Sequence, residues 1–223
     1  MKNIAIVINA RLQSTRCPKK HIRDLGGTTL IDECLKKVES LQGVEEKYLA
    51  TVEEELIAKL GSYFTINHLS RQHESITKGQ VPFEIAFKHY EKANSDYIMI
   101  INPCQPLIDP KEYQKAIDWF KKVEHSGAVS VVKKRNYFFS EDGSPANFDM
   151  SSRLCSRSGP AMLVCSHSFM FFKKQYFIDN GVLWPNVFGD PFPYVIPDEN
   201  LFDVDTNEDF NILKKIIGER SGV

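Results

Sequence analysis

Residues 4–20 read IAIVINARLQSTRCPKK, so that a short apolar run passes directly into a polar, basic segment. The β-branched residues at 4–8 predict a strand that is buried on both faces, as in a parallel sheet. Similar apolar runs occur at 48–52, 96–101 and 128–133, and helical patterns separate them. This alternation predicts an α/β fold in which helices cover both faces of a mostly parallel sheet.

The alternation breaks in the second half of the chain. Residues 135–160 are polar and irregular, and an apolar strand resumes at 162–172 before a last helix at 210–217. We therefore predict one Rossmann-like, three-layer domain over residues 1–223. Within it, 135–175 is predicted to be a β-arm that serves dimerisation or acts as a substrate lid.

The composition is that of an ordinary globular protein, and it excludes several function classes. The formal net charge of −1 gives no general attraction to nucleic acid or anionic lipid, so any anion site must be local. Five cysteines without a Cys-x-x-Cys pair favour reduced thiols over disulfides or a zinc cluster. Because no apolar run approaches the ~20 residues of a spanning helix or resembles a signal peptide, we expect a cytoplasmic protein.

The basic segment that follows the first strand is the strongest candidate for a binding site. It carries Arg11, Arg16, Lys19 and Lys20 at the strand's carboxyl end, where open α/β sheets bind ligands. Arginine forks suit phosphate oxygens, and lysine adds a mobile point charge. The segment contains no glycine, which excludes a Walker loop and the glycine-rich dinucleotide fingerprint. It is interpreted as a triphosphate-binding loop, with a solvated basic loop as the alternative.

An acidic segment near the end of the chain supplies the opposite charge. Asp203 and Asp205 point to the same side of an extended chain, and two adjacent carboxylates suit a Mg²⁺ ion that completes its shell with phosphate oxygens. The alternative is an acidic helix start, in which Thr206 is the cap and Asp209 its partner. A basic loop and a metal site together predict nucleotidyl transfer, in which a substrate oxygen attacks the α-phosphorus and pyrophosphate leaves.

Both end segments resemble motifs of the CMP-sugar-acid synthetases, namely the acylneuraminate cytidylyltransferases and the related CMP-Kdo synthetases. Residues 7–20 are similar to the opening motif and 203–210 to the closing motif, while 101–107 is a weaker match to the central loop. The resemblance implies a homodimeric, Mg²⁺-dependent enzyme that uses CTP and a sialic-acid-like 2-keto sugar acid. The anomeric hydroxyl would attack the α-phosphate, giving a CMP-sugar and pyrophosphate.

The resemblance also implies roles for individual residues. Those expected to act in catalysis are Arg11, Lys20 and Asp205. Those expected to bind the nucleotide are Ala10, Arg11, Ser14, Arg16, Lys20 and Arg71. Those expected to bind the acceptor are Asn102, Gln105, Arg157 and His167. Asp203 and Asp205 would bind Mg²⁺, and Lys19 is expected to be solvated.

Several residues depart from the family pattern, and they cluster where the acceptor would sit. Cys104 replaces the central-loop aspartate of the CMP-Kdo branch, which favours the acylneuraminate branch; a nucleophilic role for this thiol is a weaker interpretation. Asn102 and His167, however, differ from the acylneuraminate pattern. His167 is interpreted as a core or rim residue, or as a group that orients the sugar. The alternatives are another acceptor (a Kdo-like sugar, a phosphonate or a phosphosugar) and a non-catalytic nucleotide-binding module of the same fold.

Overall fold

The computed structural model describes residues 2–72, 81–151, 153–155, 159–198 and 201–220. The strands in these ranges are Ile4–Asn9 (β1), Glu46–Thr51 (β2), Asn67–Ser70 (β3), Tyr97–Ile101 (β4), Ala128–Arg135 (β5), Ala161–Lys173 (β6) and Phe192–Val195 (β7). The α-helices are Leu30–Ser40 (α1), Glu54–Ile57 (α2), Phe83–Ala86 (α3), Pro110–Phe120 (α4), Lys174–Asn180 (α5) and Asn207–Arg220 (α6). Short 3₁₀ helices lie at Ala58–Ser62 and Lys88–Lys92.

The strands form one sheet in the order β3-β2-β1-β4-β6-β5-β7. Strands β1 to β4 pair in parallel, and β7 is parallel to β5. Only β6, among the described strands, runs antiparallel to its neighbours β4 and β5. The predicted α/β fold with a mostly parallel sheet is confirmed.

Side chains of β1 alternate between two apolar cores, one on each face of the sheet. Ile4, Ile6 and Ile8 pack with apolar residues of α1 and α4. Ala5 and Val7 pack on the opposite face, in the core that includes Phe177 of α5. Because both faces are covered, β1 reads as a continuous apolar run, as predicted. A third cluster joins the loop after β1 to α6 through Cys17, Leu25, Val204, Phe210 and Leu213.

Helix caps fix the starts of the helices that border the sheet's carboxyl edge. Thr28 and Thr29 both precede the apolar helical pattern, and it is Thr29 that caps α1 by accepting a hydrogen bond from the Asp32 amide. At α6, Asp209 accepts hydrogen bonds from the Thr206 amide at 2.8 Å and the Asp205 amide at 3.1 Å. The Thr206 hydroxyl in turn accepts from the Asp209 amide at 3.2 Å, which completes the predicted capping box.

The second half of the chain differs from the predicted organisation. Ala161–Lys173 is a strand of the central sheet, and the residues after it form α5. The segment outside the sheet is therefore shorter than the predicted 135–175 arm. Strand β7, which no pattern predicted, contains Pro193; an edge strand tolerates proline because it has an unpaired side. No disulfide joins the five cysteines. None of the described helices has the length and apolar character needed to cross a bilayer.

Candidate active site

The basic loop after β1 and the acidic segment before α6 meet around one cavity. The cavity has a volume of about 270 Å³ and lies next to the carboxyl end of β1. It is lined by Asn9, Arg11, Ser14, Thr15, Arg16, Lys20, His21, Cys104 and Asp205. The fold therefore brings Asp205 to a loop that lies nearly 200 positions earlier in the chain, whereas Asp203, the other predicted carboxylate, is not among the residues that line this cavity.

Hydrogen bonds tie the basic loop to the end of the neighbouring strand β2. The Leu12 amide donates to the Glu53 carboxylate at 3.0 Å, and the Thr51 hydroxyl donates to the same carboxylate at 2.6 Å. Within the loop, the Cys17 amide donates to the Ser14 hydroxyl at 3.2 Å. These bonds fix the course of the loop, so that its cationic side chains are held on the cavity side of a rigid sheet edge.

Lys20 and Arg16 hold the Asp205 carboxylate. The Lys20 ammonium lies 2.6 Å from the Val204 carbonyl and 3.4 Å from Asp205 Oδ1, while Arg16 lies 3.0 Å from the same carboxylate oxygen. Burial acts to lower the pKa of Lys20, but Cys104 and Asp205 outweigh it and raise that pKa above its ordinary value. Lys20 is therefore a cation at neutral pH. Its neighbour Lys19 pairs with Glu55 at 3.0 Å and is not among the residues that line the cavity.

Two amide side chains from the loop after β4 hold the second carboxylate. Asp203 Oδ2 accepts from Asn102 Nδ2 and from Gln105 Nε2, each at 3.3 Å. Desolvation and the nearby Asp205 carboxylate raise the pKa of Asp203. Gln105 is 3% exposed and also donates to the Ser166 carbonyl at 2.7 Å, so its amide is engaged inside the protein. It lines neither cavity at this sheet edge, although it was predicted to contact the acceptor.

A second, larger cavity of about 470 Å³ adjoins the first and shares Asn9 with it. Most of its lining is apolar: Phe83, Phe87, Ile100, Ile101, Pro103, Phe169, Met170, Leu183 and Trp184. Its polar lining consists of Asn9, Asn102 and His167. Of the predicted acceptor residues, Asn102 and His167 thus reach this cavity, whereas Arg157 lies outside the described residues.

An irregularity in β6 brings His167 to this cavity. Val129 of β5 faces Met170 while Val131 faces Cys165, so Ser130 alone opposes residues 166–169. The Ser130 hydroxyl holds this bulge by accepting from the Ser168 amide at 3.1 Å and the Phe169 amide at 3.0 Å. His167 adopts a φ of 54°, in the left-handed region that a residue with a Cβ rarely occupies. Bulges commonly re-aim a side chain in this way beside a functional site.

Asn9, which borders both cavities, is held by a buried polar pair. Its Nδ2 donates to the Tyr90 hydroxyl at 2.6 Å, and its Oδ1 accepts from His89 Nε2 at 2.8 Å. Arg71, at the end of β3, is close enough for electrostatic interaction with Tyr90 and Arg11, and burial lowers its pKa. The structure therefore places Arg71 on the same sheet edge as the basic loop, as a nucleotide-binding role requires.

The structure gives several residues at this site a role that differs from the one predicted from sequence. Ala10 is 1% exposed and its amide donates to the Ala50 carbonyl at 3.2 Å, so it supports the loop from the core. Burial raises the pKa of the Cys104 thiol to about 11, which makes it a poor nucleophile at neutral pH. Asn9 and His21 line the cavity of about 270 Å³ but were not predicted as site residues. Their positions directly flanking the basic segment were the available signal.

Comparison with known protein families gives an independent assignment. A family model described as cytidylyltransferase matches residues 5–153, which run from β1 through the basic loop and beyond β5. The chain belongs to the cytidylyltransferase family. This membership confirms the resemblance to the CMP-sugar-acid synthetases and places the chain in a family of nucleotidyltransferases.

Curated relatives of this chain include proteins named 3-deoxy-manno-octulosonate cytidylyltransferase. The protein from Rickettsia felis is 32% identical over 136 residues, which cover 59% of this chain and 53% of the relative. The Rickettsia rickettsii protein is 31% identical over 134 residues, which cover 58% and 53%. The chain thus spans about half the length of the curated relatives it matches.

Solved structures share the fold of this chain over nearly its whole length. A structure of CMP:2-keto-3-deoxy-manno-octonic acid synthetase complexed with CTP superposes with a TM-score of 0.69 at 13% identity, covering 98% of this chain and 99% of that one. A 4-diphosphocytidyl-2C-methyl-D-erythritol synthase from Anaerococcus prevotii superposes with a TM-score of 0.67 at 14% identity, covering 97% and 96%. At these identities the likeness concerns the fold alone.

Proposed function

We propose that this protein is a CTP-dependent cytidylyltransferase that couples CMP to a 2-keto sugar acid and releases pyrophosphate. The observation that carries the proposal is the cavity in which Arg16 and Lys20 converge on Asp205 at the carboxyl end of β1. Cations that ion pairs already hold in position can bind the oxygens of a triphosphate without a large rearrangement. Family membership supports the reaction class.

Arg11, Arg16 and Lys20 would bind the phosphates, and Ser14 would add a hydroxyl donor. Negative charge develops on the phosphate oxygens as the acceptor hydroxyl attacks the α-phosphorus and pyrophosphate leaves. Preorganised cations stabilise this charge most strongly when they are partly withdrawn from water, as Lys20 is. Arg71, which follows β3 and interacts electrostatically with Arg11, would also contact the nucleotide.

The Asp203 and Asp205 carboxylates suit a Mg²⁺ ion that is shared with the substrate phosphates, rather than a metal ion whose ligands all come from the protein. Among the described residues, no group of three or more His, Cys, Asp or Glu side chains could enclose a metal. Asp203 and Asp205 would supply two oxygen ligands, which matches the preference of Mg²⁺ for one or two carboxylates plus substrate phosphates. When bound there, the ion would offset the charge of the triphosphate. Asn102 and Gln105 would keep Asp203 oriented toward it.

The larger cavity, of about 470 Å³, is the candidate acceptor site. The names of the relatives favour 3-deoxy-manno-octulosonate as the acceptor. A sialic-acid-like nonulosonate is the second candidate, because the mostly apolar lining suits an acyl substituent better than a ring that carries only hydroxyl groups. Asn102 and His167 would supply the polar contacts in either case, and Arg157 remains the predicted partner of the carboxylate.

Pyrophosphate release tests the proposal. The purified protein is incubated with Mg²⁺, each of the four nucleoside triphosphates, and either acceptor in turn. We expect release with CTP alone; a preference for UTP or GTP would overturn the cytidylyl assignment. Binding of CTP without turnover on either sugar acid, on a phosphosugar or on a phosphonate would instead favour the non-catalytic module.

Two adjacent lysines provide a matched control. Lys20→Met should lower kcat by about 10²–10³-fold because it removes a preorganised charge from the phosphate site. Lys19→Met should leave turnover nearly unchanged, since Lys19 pairs with Glu55 outside the cavity. Equal losses in both variants would show that the loop acts only through its overall charge.

Homodimerisation and a cytoplasmic location are also part of this proposal. Between β5 and β6 the chain leaves the sheet and exposes the apolar side chains of Phe139, Met150 and Leu154. These residues would pack against a second copy, and light scattering of the purified protein tests this expectation directly.

A further inference from the structure

A buried histidine lies beside the phosphate-binding lysine and has no role in the reaction as described above. His21 is 4% exposed, and its ring lines the 270 Å³ cavity together with Arg11 and Lys20. Its carbonyl accepts a hydrogen bond from the Ile31 amide at 3.1 Å, so α1 holds its backbone in place. The ring is therefore fixed at the cavity wall.

The charge state of this imidazole follows from its neighbours. Burial, Lys20 and Arg11 together lower the pKa of His21 to about 3, so the ring is neutral at physiological pH. A neutral imidazole has one N–H donor and one lone pair. A protonated histidine would add a fourth cation beside Arg11, Arg16 and Lys20, whereas the neutral ring offers a directional hydrogen bond instead.

The two ring nitrogens differ in their surroundings. Nδ1 is buried and has no hydrogen-bond partner, whereas Nε2 is not among the buried unpartnered atoms. A buried N–H without a partner is rarer and costlier than a vacant lone pair, which places the proton on Nε2. Because the ring lines the cavity, Nε2 is the nitrogen left to face it.

We infer that His21 is a nucleotide-binding residue whose Nε2–H donates a neutral hydrogen bond to a phosphate oxygen of the bound nucleotide. This inference rests on the proposed function, since it requires a nucleotide in the cavity. A neutral donor adds a directional bond without adding charge to a site that already holds Arg11, Arg16 and Lys20. Product pyrophosphate can therefore leave more easily than from a site with a fourth cation.

Three substitutions separate a donor from a packing residue. His21→Gln places an amide N–H near the position of Nε2, His21→Asn places it nearer Nδ1, and His21→Leu keeps the volume but has no donor. His68→Leu is the control, because the His68 ring bonds the Thr51 carbonyl at 2.9 Å and does not line the cavity. Affinity for CTP is measured by calorimetry with Mg²⁺, and Tm by thermal unfolding.

We expect His21→Leu and His21→Asn to lose about tenfold to a hundredfold in CTP affinity, the range for removing a hydrogen bond to a charged group. His21→Gln should stay close to wild type, as should His68→Leu. Wild-type affinity in His21→Leu, or a loss in His21→Gln as large as that in His21→Leu, would overturn the inference while leaving the proposed function intact. Failure of the wild-type protein to bind any nucleoside triphosphate would overturn both.

Discussion

Two buried histidines should make this protein sensitive to mild acid. His21 and His89 are 4% and 2% exposed, and each has a ring nitrogen without a hydrogen-bond partner. Burial is the main cause that lowers the pKa of each to about 3; nearby cations, Lys20 and Arg11 for His21 and Arg71 and Lys92 for His89, lower it further. In the unfolded chain both would titrate near their ordinary value of 6.5.

The direction and size of the effect follow from this difference. Above pH 6.5 the two imidazoles are neutral in the folded and in the unfolded chain, so they do not make the free energy of unfolding depend on pH. As the pH falls from 6.5 toward 3, the unfolded chain binds protons that the folded chain rejects, and stability is lost. At pH 5 the loss is about 2 kcal/mol for each histidine, or about 4 kcal/mol for the pair, at ~1.36 kcal/mol per pH unit.

Urea denaturation at pH 7, 6 and 5, followed by the fluorescence of Trp119 and Trp184, measures this loss. A fall of about 4 kcal/mol would be a large share of the ~5–15 kcal/mol that keeps a typical domain folded. His89→Gln should remove about half of the pH dependence, because glutamine does not titrate. A free energy of unfolding that stays constant between pH 7 and pH 5 would refute the reasoning, as would an unchanged pH dependence in His89→Gln.

Three substitutions give further expectations. Asp205→Asn should abolish turnover with little change in Tm, since Asp205 lines the cavity while Thr206 and Asp209 form the helix cap; residual wild-type kcat would contradict a role in the site. Asp209→Ala should show the reverse, losing about 1 kcal/mol of stability with the cap while retaining activity, which denaturation and pyrophosphate assays check together. Gly127→Ala would add a Cβ that clashes with Cδ1 and Nε1 of the Trp184 ring, which must then shift within the larger cavity. The acceptor KM should rise while the KM for CTP is unchanged, and an equal rise in both would show that the two cavities are not separate sites.

The elements most closely tied to local pattern were predictable from sequence. β1 is buried on both faces and therefore reads as an apolar run, and Thr29 stands where a cap must precede α1. β7 and α5 were missed because their local signals are weak: β7 is a four-residue edge strand with a proline, and α5 is a seven-residue helix. The strand β6 was predicted as an apolar run, but its antiparallel direction was not, since strand direction depends on pairing with β4 and β5 rather than on composition.

Sequence alone determined the charge and chemistry of the site. It placed the cations Arg11, Arg16 and Lys20 in one loop and the paired carboxylates Asp203 and Asp205 at the far end of the chain, because these depend only on residue type and spacing. Tertiary structure alone decided which of them meet. It paired Lys20 and Arg16 with Asp205, and it left Lys19 with Glu55.

The apolar character of the neighbouring cavity and the neutral state of His21 also came only from the structure. Both depend on residues from separate elements that pack together, such as Phe83, Ile100 and Trp184 around the larger cavity. Burial and nearby charge set the protonation of a histidine, and neither can be read from its position in the chain. Local pattern specifies which groups are present, whereas long-range packing decides their neighbours, their solvent exposure and hence their chemistry.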